Sequence, residues 1–180
     1  DKLMAEPNSP ILGLHLEGHY LNPSKAGAQV PECIKNPDPN EYIPIVENSR
    51  CLARWDAAPE MPGALQFGKY CAEKGILPSI AHTAAEYKDV KAAFEAGFTH
   101  VTHFYNAMPG FHNKGEYKYE GTVESVYLMD DMTVEVVADG IHVPPTIMRM
   151  CYKIKGVERM ALITDALAVA AAGDDAQAFD

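Results

Sequence analysis

Residues 83–103, TAAEYKDVKAAFEAGFTHVTH, decide the reading of the fold. Across 84–96, Val90, Ala93, Phe94 and Ala96 recur near helical spacing, with Thr83 and Glu86 set as a capping box, so a helix is predicted there. Gly97 suits the left-handed position beyond a helix end, and the apolar, β-branched run 98–103 is expected to be a strand.

The same phrase occurs on either side. Residues 63–74 read as a helix stopped by Gly75 before a strand at 76–81, and 144–155 as a helix stopped by Gly156 before a strand at 160–164. Further strands are expected at 11–17, around 51–54 and at 133–138, which makes six. Alternating helices and strands imply a parallel sheet, either open and doubly wound or part of an eight-stranded barrel. The polar residues choose between them. Glu17, Glu60, His82, His103, Asp139 with His142, and Asp165 all fall at or just past the C-terminal end of a proposed strand, where barrels assemble active sites from several strands. A doubly wound sheet gathers its ligands at one switch point after a glycine-rich turn, and no GxGxxG or P-loop occurs. The expectation is an α/β fold, an incomplete TIM (β/α)8 barrel, because barrels typically need about 250 residues and this chain has 180. It lacks an initiator methionine and stops soon after its last strand, so an excerpt forming one domain over 1–180 is expected. Residues 110–121 read as a long solvated loop, and 166–172 as either a helix start or a loop.

A net charge of −10 argues against nucleic acid or an anionic membrane as partner, so a phosphorylated substrate would need a local basic pocket. Cys33, Cys51, Cys71 and Cys151 form no CxxC pair and are read as reduced thiols. No apolar run reaches the roughly 18–20 residues of a membrane span, and a cytoplasmic protein is expected.

Glu17, His82 and His103 come from three strand ends, and carboxylate oxygen and imidazole nitrogen both suit a divalent metal such as zinc or iron. From spacing alone, a hydrogen-bonded residue at a strand end is the more ordinary reading of each histidine. Asp165 could act as general base beside a bound metal, or cap a helix. His142 could polarise a substrate carbonyl, or be an ordinary loop residue before Pro144-Pro145. His15 shares a strand face with Glu17 and is expected to support the site from a deeper layer.

Taken together, these stretches resemble a known family. Residues 13–18 (GLHLEG) with Leu21-Asn22-Pro23 and Lys25-Ala26-Gly27 are followed by Ala58-Pro59-Glu60, Ala81-His82-Thr83 and Thr99-His100-Val101-Thr102-His103. Asn106-Ala107-Met108-Pro109, Ala138-Asp139-Gly140-Ile141-His142 and Thr164-Asp165-Ala166 complete the series. In this order and spacing they resemble the N-acetylglucosamine-6-phosphate deacetylases of the amidohydrolase superfamily. The resemblance implies removal of acetate from N-acetylglucosamine 6-phosphate, with Glu17, His82 and His103 holding the metal, zinc first and iron or another divalent ion as alternatives. It implies Asp165 as catalytic acid/base and His142 as a catalytic and substrate contact, with Ala28, Gln29, Asn106, Ala107 and Lys114 also meeting the sugar phosphate. It further implies that the segment covers about the third to eighth barrel strands without the first two or the small β-domain. An isolated piece of this kind is expected to be inactive, and the complete protein to be a homodimer or higher homo-oligomer.

Three positions depart from the family pattern: His19 where a proline is usual, Gln29 in place of a histidine, and Lys114 in place of an arginine. Gln29 can hydrogen-bond but not carry charge, and Lys114 keeps the charge without the bidentate fork. His19 is expected to face solvent rather than bind metal. The competing expectations are another amidohydrolase of dihydroorotase-like or deaminase-like type, a relative acting on another N-acetyl amino sugar, and a non-catalytic sugar-phosphate-binding relative.

Overall fold

In the computed structural model, which describes residues 2–167 and 169–170, the strands are β1 Leu14–Leu16, β2 Leu52–Ala57, β3 Leu77–Ile80, β4 His100–Val101, β5 His112–Lys114, β6 Tyr117–Tyr119, β7 Thr133–Val137 and β8 Met160–Ile163. The helices are α1 Pro39–Asn48, α2 Ala64–Glu73, α3 Tyr87–Glu95, α4 Thr122–Leu128 and α5 Pro145–Lys155. Six strands pair in parallel in the order β1-β2-β3-β4-β7-β8, and β5 and β6 form a separate antiparallel hairpin. Unbroken sequential order is what a barrel requires, and a doubly wound sheet would reverse partway. The sheet is a curled half-barrel with β1 and β8 as its edges.

Alternation along each strand separates the two faces of this sheet. Trp55, Ile80, Val101, Val134 and Val136 enter the apolar layer under the helices, together with Phe67, Val90, Ala93, Val126 and Cys151. Trp55 stacks on Tyr20 with centroids 5.4 Å apart and meets the Phe67 ring edge-on at 5.2 Å. Gly68 in α2 leaves room for Phe98, since a methyl there would lie 2.0 Å from the Phe98 ring. The opposite, concave face carries His15, Arg54, Asp56, His100, Thr102 and Glu135, a charged layer where barrels usually place branched apolar side chains.

The three glycine stops hold: Gly75, Gly97 and Gly156 have φ of 76°, 101° and 71°. Several predicted bounds do not. α3 starts at Tyr87 rather than 84: the Thr83 hydroxyl donates to Glu60 at 2.5 Å and accepts the Ala85 N–H at 2.9 Å in a turn ahead of the helix, and Glu86 is the cap, with Asp89 accepting its N–H at 3.1 Å. The strand expected over 98–103 pairs only at His100–Val101, as the chain turns to bring His103 over the sheet. β2 runs on to Ala57, past the predicted end at 54. The loop expected at 110–121 contains the hairpin, braced by Lys118 Nζ donating to Asn113 at 2.6 Å.

Two helices had no counterpart in the prediction. α1 carries Pro44 inside it, which removes a backbone donor, yet Tyr42 and Val46 are buried and Asp38 caps its start. α4 is short and is held by its surroundings. Thr122 donates to the Ala85 carbonyl at 2.7 Å, and buried Lys155 donates to the carbonyls of Val126 and Met129 at 2.7 and 2.8 Å. Residues 164–167 have no regular structure, and positions 168, 171 and 172 of the undecided 166–172 stretch lie outside the described residues.

Candidate metal centre

Glu17 follows β1 directly, while His82, His103 and Asp165 each stand two residues beyond β3, β4 and β8. The last three have φ of 43°, 31° and 51°, the left-handed region that L-residues adopt at a cost of about 1–3 kcal/mol. Chains leaving adjacent parallel strands would otherwise run on in step, and these turns direct the side chains back over the strand ends. Glu17 Oε1 lies 2.8 Å from His82 Nε2 and 3.2 Å from His103 Nε2, and the two nitrogens are 3.1 Å apart. Both histidines are buried, and the Glu17 side chain is about a quarter exposed, at 28%.

Hydrogen bonding decides what this cluster can hold. Lys25 presents a carbonyl 2.7 Å from His82 Nδ1, so Nδ1 carries the proton and donates. In the neutral ring Nε2 is then a lone pair aimed at a carboxylate oxygen, an arrangement that needs a cation between the atoms. Protons can fill that need. Hydrogen bonds from His103 and then His82 hold the Glu17 carboxyl well below the usual carboxylate range. Burial works against charge on His103, but attraction to Glu17 and to Asp165 leaves its affinity for a proton raised. One carboxylate oxygen and two imidazole nitrogens within 4.8 Å of one another also make a donor set that fits a divalent metal, and three protein donors leave a coordination position open.

The loop after β1 forms one wall. A side chain at Gly27, whose φ is 59°, would come within 3.1 Å of His82 Cε1, so the loop carrying Ala28 and Gln29 packs directly against that ligand candidate. Gln29 lies beside Gly18. Glu60 ties three segments together, accepting from Asn22 at 2.8 Å, from the Ala84 N–H at 2.6 Å and from the Thr83 hydroxyl. Asn106 and Ala107 lie in the turn after His103, where Asn106 donates to the His103 carbonyl at 3.2 Å and Ala107 accepts the Thr83 N–H at 3.0 Å.

Asp165 shares with Glu17 a cavity of about 480 Å³ that descends to the charged layer at His15, Arg54 and Glu135. Arg54 organises that layer: it donates to Glu135 at 2.6 Å and faces His15 Nδ1 at 2.6 Å and His100 Nε2 at 3.0 Å. A guanidinium has only protons to offer, so both facing nitrogens are lone pairs and both histidines are the opposite tautomers. His100 Nδ1 therefore donates to the Thr133 hydroxyl, at 2.7 Å, and His15 Nε2 lies 2.9 Å from Asp56 without hydrogen-bond alignment. Arg54, Asp56, His100 and Glu135 had not been singled out in the sequence. Their signature was present, as polar residues two apart in His15/Glu17, Arg54/Asp56, His100/Thr102 and Thr133/Glu135.

Other predicted residues lie apart from the triad's hydrogen bonds. His142 is exposed and bonded to Asp139 at 2.6 Å. Lys114, on the hairpin, is paired with Glu86 and lies over the Tyr119 ring. His19 is exposed and is not one of the clustered donors.

A parallel half-barrel carrying a Glu-His-His cradle and an aspartate at its C-terminal strand ends has the architecture of the metal-dependent amidohydrolases. No family model matches the chain. It is 32% identical over 162 residues to N-acetylglucosamine-6-phosphate deacetylase from Lysinibacillus sphaericus, covering 87% of this chain and 40% of that protein. It is 34% identical over 170 residues to N-acetylgalactosamine-6-phosphate deacetylase from Escherichia coli O157:H7, covering 93% and 44%. N-acetyl-D-glucosamine-6-phosphate deacetylase from Mycobacterium smegmatis superposes with a TM-score of 0.85 at 33% identity, over 92% of this chain and 43% of that one. A mutant of that enzyme in complex with N-acetyl-D-glucosamine-6-phosphate superposes with a TM-score of 0.82 at 34% identity, over 87% and 40%. The chain is thus homologous to a segment of the N-acetylglucosamine-6-phosphate deacetylases, and it spans about 40% of the length of these relatives. Among the described residues, no helix is long and apolar enough to cross a membrane.

Proposed function

We propose that this chain carries the metal-binding and proton-transfer core of a deacetylase that hydrolyses N-acetylglucosamine 6-phosphate to glucosamine 6-phosphate and acetate. The observation that carries the reading is the convergence of Glu17, His82 and His103 from three strand ends, with Asp165 on the same cavity. A divalent ion, zinc by the nitrogen and oxygen donor set and iron as the alternative, would supply Lewis acidity toward water and the amide carbonyl when bound. Asp165 takes a proton from the attacking water and returns it to the departing amine, so that the C–N bond breaks to a neutral leaving group. His142 contacts the carbonyl oxygen as negative charge develops there.

Gln29, Ala28, Asn106 and Ala107 border the sugar, and Lys114 faces its phosphate once released from Glu86. The four free thiols suit a reducing cytoplasm, and a homo-oligomeric assembly belongs to the same reading. The 34% identity to a galactosamine-series enzyme favours a second reading, in which the 4-epimer N-acetylgalactosamine 6-phosphate is the substrate. Acetate release by the intact protein is the test, with both epimers and unphosphorylated N-acetylglucosamine compared. The first reading expects kcat/KM highest for N-acetylglucosamine 6-phosphate and a loss of at least about 100-fold in Asp165→Asn. Undiminished turnover by that variant, or no acetate from any of the three sugars, overturns it.

A further inference from the structure

Asp139 lies two residues past β7, and its carboxylate is committed within a single turn. Oδ1 accepts the backbone N–H groups of Ile141 and His142 at 2.8 and 2.9 Å, and Oδ2 lies 2.6 Å from His142 Nδ1. Hydrogen bonds from His142 and from these two backbone groups lower its pKa to about 2, so near neutral pH it is a carboxylate that only accepts. The proton between the two side chains therefore belongs to Nδ1. Among the described residues, Asp139 is the only charged group paired with His142, more than half of whose side chain is exposed, leaving Nε2 for a ligand.

This fixes what Nε2 can do. In a neutral ring whose proton is on Nδ1, Nε2 is a lone pair and cannot donate to a carbonyl oxygen. We propose that Asp139 is a positioning residue for the deacetylation: it locks the His142 proton on Nδ1, so that Nε2 donates to the substrate carbonyl only from the charged imidazolium, with Asp139 as its counter-ion. The assignment rests on the reading of His142 as the carbonyl contact. A charged donor in that place strengthens its hydrogen bond as the oxyanion forms, more than a neutral N–H would.

Asp139→Asn separates this role from a structural one. Its side-chain oxygen can still accept both backbone N–H groups and keep the turn, while its NH2 faces Nδ1 and forces the neutral ring to carry its proton on Nε2. The test combines the imidazole 15N shifts of His142 in the ligand-free intact protein with steady-state kinetics on N-acetylglucosamine 6-phosphate. Expected are an Nδ1–H ring in the parent, an Nε2–H ring in Asp139→Asn, and about a 100-fold fall in kcat with KM within about 3-fold. An unchanged tautomer in the variant overturns the proton assignment, and an inverted tautomer with unchanged kcat overturns the positioning role. Failure of the underlying reading shows separately, as full activity in His142→Gln.

Discussion

Replacing Arg54 with Met keeps most of the side chain's bulk and removes the cation at the centre of the concave layer. Two carboxylates depend on that layer, Asp56 with no exposure and Glu135 with 5%. Burial alone would raise the Glu135 pKa, but hydrogen bonding in the layer brings it from 4.5 down to about 2. Because His100 must turn a lone pair toward Arg54, the guanidinium is the chief donor to Glu135. The folded pKa is the lower one, so the stabilisation is complete above the unfolded value of 4.5 and disappears as pH falls toward 2. At about 1.4 kcal/mol per pH unit, the depression corresponds to about 3 kcal/mol near neutrality for the layer as a whole, His100 and Arg54 together. Stranding a buried charge by removing its partner costs about 3–5 kcal/mol, which agrees. Urea unfolding of the intact protein should therefore show Arg54→Met less stable by about 3–5 kcal/mol at about pH 7, with a smaller gap at about pH 4. Adding Glu135→Gln to Arg54→Met should recover about 1 kcal/mol or more, because the stranded charge is gone. A single variant within about 0.5 kcal/mol of the parent, or a gap that does not change with pH, would refute the reasoning.

Gly68→Ala gains helix propensity of about 1 kcal/mol but drives a methyl into the Phe98 ring, so a net loss of about 1–2 kcal/mol is expected in thermal or urea unfolding. A more stable variant would show that the ring can move aside. Glu60→Ala leaves the donors of Asn22, Thr83 and Ala84 without their shared acceptor and loosens the segment that carries His82. Metal affinity, read by competition with a chelator of known strength, should fall by about 10–100-fold; an unchanged affinity would mean that His82 is held by the Lys25 carbonyl alone.

Half of the six-stranded sheet was plainly legible in the sequence, because β3, β4 and β8 each follow a helix with an apolar period and a glycine that takes positive φ. α1 and α4 were not, for opposite reasons. The first carries an internal proline that local propensity counts against, outweighed by burial of Tyr42 and Val46. The second is too brief to show a period and depends on side-chain partners distant in sequence, Ala85 and Lys155. The strand ends were placed well enough to find Glu17, His82 and His103, yet their convergence depends on left-handed turns at His82 and His103, which the enrichment of histidine at positive φ is too weak to announce. The charged floor was overlooked because its members were read one at a time. Arg54 acquires its meaning only when β1, β4 and β7 set His15, His100 and Glu135 around it.

The most direct test of the central claim is the metal-to-protein ratio of the intact protein, measured by elemental analysis beside a His82→Gln/His103→Gln variant. Close to one divalent ion per chain in the parent and almost none in the variant is the expected result. A variant that keeps its full complement of metal would contradict the assignment of Glu17, His82 and His103 as the site.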